Sequence, residues 1–292
     1  MKPEFLYDRD EISERYGGKD HTVYVKISDL VSGFNELDWK TFRIIVSKGI
    51  SEEKEAIETV IDDLIIEDRI CHSKDSVWRS VKRLTGANLL RSNRIHTGYR
   101  PLNVLQISEV GRMAYMQTFK KNPARFECEK MVSDHNSILH GYMIKDVKHI
   151  LNQFGYKNVT TGRKENVIHL YDGGGFCIPD VIVHGKTAKY FEVECGNHNQ
   201  YDFDEKCDRL KIITNKLNFI VRSRSDAKVK LLPQIESWVK KNRGTLRFNN
   251  IKVYLTSMRD LANNSCTYIF DPHFDEPICC VDKKRKEEKD DA

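Results

Sequence analysis

No run of about 18 apolar residues occurs in this 292-residue chain, so no membrane-spanning helix is expected. The opening residues, MKPEFLYDRDEISERYGG, lack the apolar core of a signal peptide, and the chain is expected to stay in the cytosol. Eight cysteines, at 71, 128, 177, 195, 207, 266, 279 and 280, include no Cys-x-x-Cys pair. That absence argues against a structural zinc site and leaves reduced thiols in a reducing compartment as the plain reading. A Gly-x-x-x-x-Gly-Lys-Ser/Thr phosphate loop and a Gly-x-Ser-x-Gly nucleophile elbow are missing as well. Their absence removes P-loop and α/β-hydrolase chemistry. The GGG run at 173–175 precedes a strand-like segment and reads as a turn rather than a phosphate cradle. No His-rich cluster of the relaxase type appears, so a tyrosine transesterase mechanism has little support.

What the chain does have is charge, unevenly placed. Hydrophobic residues make up 39% and charged residues 31%, which suits a soluble fold of one large or two ordinary domains. The net charge of +5 hides a reversal of sign along the sequence. Residues 1–68 carry 9 Lys/Arg against 17 Asp/Glu, a net of −8, and residues 69–130 carry 13 against 4, a net of +9. A basic block of this density attracts a phosphate backbone. The acidic first stretch suits docking to a protein partner.

Four segments follow from the patterning. Residues 1–38 form an N-terminal arm with the strand-like HTVYVKISDL. Within 39–126, WKTFRIIVSKG and SEEKEAIETVIDDLIIEDRI read as helices, the second capped by Ser51 with acids in its first turn. SKDSVWRSVKRLTGANLL spaces Val77, Val81 and Leu84 on one helical face, which leaves Lys74, Arg79, Lys82 and Arg83 on the others. A strand–turn–strand pattern bearing Arg91, Arg94 and Arg100 comes next, then a short helix at EVGRMAY. Helix, turn, basic helix and basic hairpin is the order of a winged helix-turn-helix. Lys74, Arg79, Lys82, Arg83, Arg94 and Arg100 are therefore expected to meet double-stranded DNA. Small helical domains of the same order also serve protein contacts, and that alternative stays open.

Residues 127–281 read as an α/β (α+β) domain with a mixed sheet in the order α-β-β-β-α-β-α-β. One long helix is expected from FECEKMVSDHN to Gly155, then strands at ENVIHLYD, FCIPDVIVH and AKYFEVE. The tail DKKRKEEKDDA, 282–292, is expected to be disordered. Alternation along a strand puts Glu192 and Glu194 on one face, and the turn at HGKT folds Asp180 back toward them. Three carboxylates on a half-buried hairpin are costly unless paired or bound to a cation. Converging hard oxygen donors suit Mg²⁺ or Mn²⁺, which can activate water against a phosphodiester.

Pro179-Asp180, eleven residues, then Glu192-Val193-Glu194 resembles the PD-(D/E)XK nuclease superfamily, in the variant where Glu stands at the usual lysine position. The α-β-β-β-α-β order, a restriction-endonuclease-like arrangement, resembles that fold as well. More narrowly, SDHNSILHGYMI, PDVIV, YFEVECGN and FDEKCDRL resemble the replication-relaxation proteins of plasmids and integrative elements. Those proteins also pair an N-terminal winged helix with a nuclease-like domain. The resemblance implies a metal-dependent endonuclease of a mobile element or plasmid, or a non-catalytic DNA-binding accessory protein for replication or mobilisation. It implies Asp180 and Glu192 as metal ligands, Glu194 at the lysine position, and a further acid on the first helix, Asp134 ahead of Glu129. His135 is a candidate ligand for metal or phosphate. Lys206, with Arg209 one turn on, is the leading source of the missing positive charge. A homodimer remains an open expectation, because cutting both strands calls for two sites.

Overall fold

Asn35 opens the first described helix: its side chain accepts from the Asp38 N–H at 3.0 Å, and Asp38 accepts from the Asn35 N–H at 2.9 Å. This reciprocal cap starts α1 (Glu36–Lys48) ahead of the boundary expected at residue 39. The computed structural model describes residues 31–162, 165–170, 175–196, 198–274 and 276–280. Most of the N-terminal arm and the whole charged tail fall outside those residues. Two compact units emerge, one reaching Ile95 and resuming at Leu102–Lys130, the other made of His96–Pro101 and the chain from Met131 on.

The first unit continues with α2 (Glu53–Asp68), α3 (Lys74–Gly86), all but the tip of the hairpin β1 (Leu90–His96) and β2 (Pro101–Ile107), and α4 (Glu109–Phe119). Val77, Val81 and Leu84, spaced for one face of α3, are fully buried, as are Phe42 and Ile45 of α1 and Val60 and Leu64 of α2. A single bridge, Glu52 to Val104, joins the connection between α1 and α2 to strand β2.

The boundary between units falls within α5 (Glu127–His135). The single long helix expected here is in fact two. Asn136 takes a left-handed backbone (φ 58°), which stops α5, and the Ser137 hydroxyl then accepts from the His140 N–H to cap α6 (Ile138–Gln153). Gly141 lets the two helices close up, since a Cβ there would lie 2.6 Å from Met131.

The second unit holds a seven-stranded mixed sheet. Its strands are β3 (Val159–Thr160), β6 (Val181–Val183), β7 (Lys189–Glu194), β8 (Lys216–Val221), β9 (Lys252–Ser257), β10 (Tyr268–Phe270) and β11 (Ile278–Cys279). Their spatial order is β11-β10-β9-β8-β7-β6-β3. The centre, β7-β8-β9, is parallel, with crossovers through α7 (Gln200–Ile213) and a longer helical run. That run comprises α8 (Arg224–Asp226), a π-helical turn (Ala227–Leu231) and α9 (Leu232–Phe248). Met143, Val147 and Ile150 of α6 pack on one sheet face with Val193 and Ile220. Phe203, Leu210, Ile235 and Trp238 of α7 and α9 cover the other with Phe219 and Leu255.

The expected three-strand run is corrected in two places. Residues 176–184 do not form one strand: β5 (Phe176–Cys177) pairs with β4 (Ile168–His169) in a separate ribbon, and the main sheet resumes only at β6. Pro179 has no N–H to donate to a ladder, so pairing lapses around it. Edge strand β3 and strands β10 and β11 were not anticipated; each is only two or three residues long, too short for an alternating pattern to show.

Helix α10 (Met258–Ala262) carries a buried charge that ties β9 to α8. Asp260 is fully buried; it accepts from Ser257 at 2.7 Å, Thr267 at 2.6 Å and Arg224 Nε at 3.0 Å. Burial pushes its pKa up, but Arg224 and the two hydroxyls outweigh that and hold it below the ordinary 3.8. The folded chain thus keeps Asp260 ionised to lower pH than the unfolded chain. Its contribution is complete above about 3.8 and lost as pH falls through the folded value. Asp260→Asn is expected to cost about 2 kcal/mol at pH 7, a difference that shrinks in acid. Urea denaturation at pH 7 and pH 3 checks this, and an equal loss at both would show that the ionised form is not what stabilises.

Candidate functional site

The site begins where strand pairing is interrupted. Asn166, almost fully buried, donates from Nδ2 to the Pro179 carbonyl at 2.7 Å and the Asp180 carbonyl at 3.3 Å. It thereby satisfies backbone acceptors around the break. Val181 pairs with Phe191 in the antiparallel register, so Asp180 stands at the level of Glu192. Its carboxylate accepts from the Val193 N–H at 2.9 Å.

On β7, Val193 points into the α6 side of the core. Glu192 and Glu194 point to the opposite face and are 4% and 2% exposed. The cation that meets them comes from α7. Phe203, Cys207 and Leu210 are its buried stripe, and Lys206 lies on that same stripe by the i, i+3, i+4 rule. Its ammonium lies 2.6 Å from Glu194 Oε1 and 3.2 Å from Glu192 Oε2. His198 Nε2 stands 3.5 Å from the other oxygen of Glu194. Across the site, His140 Nε2 is 3.2 Å from Asp180 Oδ2, and the His135 and His140 rings meet edge-on at 5.5 Å. All of these groups border one cavity of about 570 Å³.

Charge balance within this cluster is uneven. Burial raises the Glu192 pKa from 4.5 to about 8; Lys206 opposes the rise, and the carboxylates of Asp180 and Glu194 add to it. Burial likewise disfavours the Lys206 charge, but Glu192, Glu194 and Asp180 overcome it and hold the ammonium more firmly protonated than an ordinary lysine. For Asp180, burial is outweighed by the hydrogen bond and charge of His140, so its carboxyl sits below the usual range. His140 mirrors this: burial would lower its pKa, and Asp180 raises it.

The sequence-derived candidates separate clearly. Asp180, Glu192, Glu194 and Lys206 converge. Asp134 is exposed on the margin of the same cavity, while Arg209 lines it and pairs with Glu205. Glu129 is engaged by Arg112 and the Phe126 N–H in the first unit. Asp180 and Glu192, with Glu194 beside them, are hard oxygen donors facing one cavity, which fits Mg²⁺ or Mn²⁺. His140, His198 and Asn166 were missed. A cue existed for His140 in the Asn-Ser-x-x-His run, a helix start that sets the histidine in the first turn; nothing local marks the other two.

The basic candidates between residues 74 and 100 also divide. Arg83 grips the buried Asp38 through Nε and Nη2 at 2.7–3.0 Å. Lys74 pairs with Glu58 at 3.1 Å, and Lys82 with Glu53 at 3.5 Å. Arg100 belongs to the second unit and bonds Asp146 at 2.9 Å. Arg79 and Arg94 are exposed, with no ion pair among the described residues. No described helix is long and apolar enough to cross a membrane. Compared with known proteins, the chain matches no family model, no curated protein and no solved structure.

A carboxyl raised from 4.5 to about 8 keeps a proton in the folded chain that the unfolded chain has released. Folding is therefore penalised progressively as pH climbs through that window. In metal-free protein, Glu192→Gln is expected to raise the melting temperature by a few degrees at pH 9 and by little at pH 5. Thermal unfolding followed by circular dichroism checks it; a lower melting point at pH 9 would mean that the Glu192 charge is a net support of the fold.

Proposed function

We propose that the protein is a metal-dependent DNA endonuclease, with a winged helix-turn-helix in its first unit and a PD-(D/E)XK-type catalytic centre in its second. The observation that carries the reading is the convergence of Asp180, Glu192 and Glu194 with Lys206 in one cavity. The ammonium absent from the usual strand position is supplied by the following helix. Support for the winged helix comes from the bridge between Glu52 and Val104, a third, minimal strand ahead of the helix pair, and from Trp78 and Arg79 exposed on α3.

In this reading Asp180 and Glu192 would hold the divalent ion, which would supply polarisation of a phosphoryl oxygen and a water of lowered pKa. Glu194 takes the proton from the attacking water, and His198 can relay it to solvent. The water oxygen bonds to phosphorus as the bond to the leaving oxygen breaks. Lys206 offsets the charge that builds on the phosphoryl group. The resemblance to replication-relaxation proteins suggests plasmid or mobile-element DNA as the substrate.

One observation favours a second reading, a non-catalytic DNA-binding accessory protein. Lys206 already neutralises part of the Glu192–Glu194 pair, so the cluster can persist without an ion. Incubation with supercoiled plasmid and Mg²⁺ or Mn²⁺ separates the two. Asp180→Ala, Glu192→Ala and Lys206→Ala should each reduce nicking by about a hundredfold or more. If wild type and variants are equally inert while all still shift DNA, the accessory reading replaces the enzyme.

For DNA binding, Arg79→Ala and Arg94→Ala should each weaken affinity and lower the slope of log K against log salt by about 1, with melting unchanged. Arg83→Ala should instead lower the melting temperature, because it strands the buried Asp38. Gel shifts across a salt series beside thermal melts test both statements. Unchanged binding in Arg79→Ala and Arg94→Ala would remove the winged-helix proposal.

A further inference from the structure

Where α5 gives way to α6, two imidazoles and a carboxylate face one another. His135, His140 and Asp180 each offer one ligand atom, and those atoms lie within 4.8 Å of one another. The 3.2 Å between His140 Nε2 and Asp180 Oδ2 is close to the ~3.3 Å edge of two ligands held about 2.0–2.1 Å from one tetrahedral ion.

We infer that His135, His140 and Asp180 bind a divalent transition-metal ion (Mn²⁺, Co²⁺ or Zn²⁺) in preference to Mg²⁺. Three features make this more than proximity. The partners around the ligands fix their orientation: His140 Nδ1 faces the His135 carbonyl at 3.4 Å, which turns Nε2 to Asp180, and the same Asp180 Oδ2 accepts from the Val193 N–H at 2.9 Å. The geometry is also built in by the backbone. The left-handed Asn136 ends α5 between the two histidines, and the close approach at Gly141 sets α5 against α6. Finally, three protein ligands leave positions open toward the cavity, as in reactive rather than purely structural metal sites. Imidazole nitrogen suits transition ions, whereas Mg²⁺ demands oxygen ligands and sheds water reluctantly.

The site shares Asp180 with the proposed nuclease centre but rests on ligand geometry alone, so the test reads metal and not cleavage. Chelator-stripped full-length protein is titrated with Mn²⁺, free ion being followed by electron paramagnetic resonance, and with Co²⁺, followed by its visible absorption. Both titrations are repeated in excess Mg²⁺. Binding that survives Mg²⁺ is expected, weakened about tenfold or more in His135→Ala and in His140→Ala, with loss of the cobalt bands. Melting curves accompany each variant, and His135, half-buried at a helix end, carries the test if the His140 variant loses its fold. Equal affinity in wild type and His135→Ala, or displacement by equimolar Mg²⁺, overturns the inference. Retained binding in both histidine variants with loss in Glu192→Gln places the ion on Asp180 and Glu192; the inference then fails and the nuclease reading survives. Imidazole-dependent binding without plasmid nicking leaves the inference standing and removes the nuclease.

Discussion

Glu192 and Glu194 are carried by one face of a central strand and buried against a helix, with the single ammonium of Lys206 between them. Burying two carboxylates side by side is unfavourable without compensation, and much of the surrounding structure supplies it. Helix α7 must present a lysine on its inward stripe, at the expense of an apolar contact. Asp180 finds its own partner in His140 across the sheet edge, instead of adding a third charge to the pair. Even so, burial and the neighbouring carboxylates raise the Glu192 pKa from 4.5 to about 8 against the opposing charge of Lys206.

Irregular backbone is what brings these groups together. The left-handed Asn136 breaks a helix, Pro179 breaks a strand, and Asn166 satisfies the carbonyls that the second break exposes. Regular elements on either side are held by apolar packing on both sheet faces. The breaks are thus supported by a rigid frame. Departures from local rules that cluster at one cavity are characteristic of functional sites.

The basic stretch 69–130 shows a different use of charge. Of the arginines and lysines that make residues 69–130 so positive, Arg83 is committed to Asp38 and Lys82 to Glu53. The sequence therefore overstates the number of cations available to a phosphate backbone. Charge density read along the chain counts residues, whereas the folded surface counts only those that acidic neighbours from α1 and α2 leave free. Arg79 and Arg94 were no easier to distinguish from Arg83 by spacing, because what sets Arg83 apart is its partner Asp38, 45 residues away.

Period-two alternation in KYFEVE was enough to put Glu192 and Glu194 on one face, and helical spacing was enough to bury Val77, Val81 and Leu84. The stripe of Phe203, Cys207 and Leu210 also carried the signal that turned Lys206 inward. These are properties of one element, and backbone geometry alone sets them. The helix break at Asn136 and the strand break at Pro179 left only weak local marks, since asparagine tolerates but does not demand a left-handed turn and proline is admissible at a strand edge. The meeting of His140 with Asp180, of Arg100 with Asp146 and of Asn166 with the Pro179 carbonyl had no local mark of that kind. Each joins residues from separate elements, and only the packing of helices on the sheet decides which side chains become neighbours.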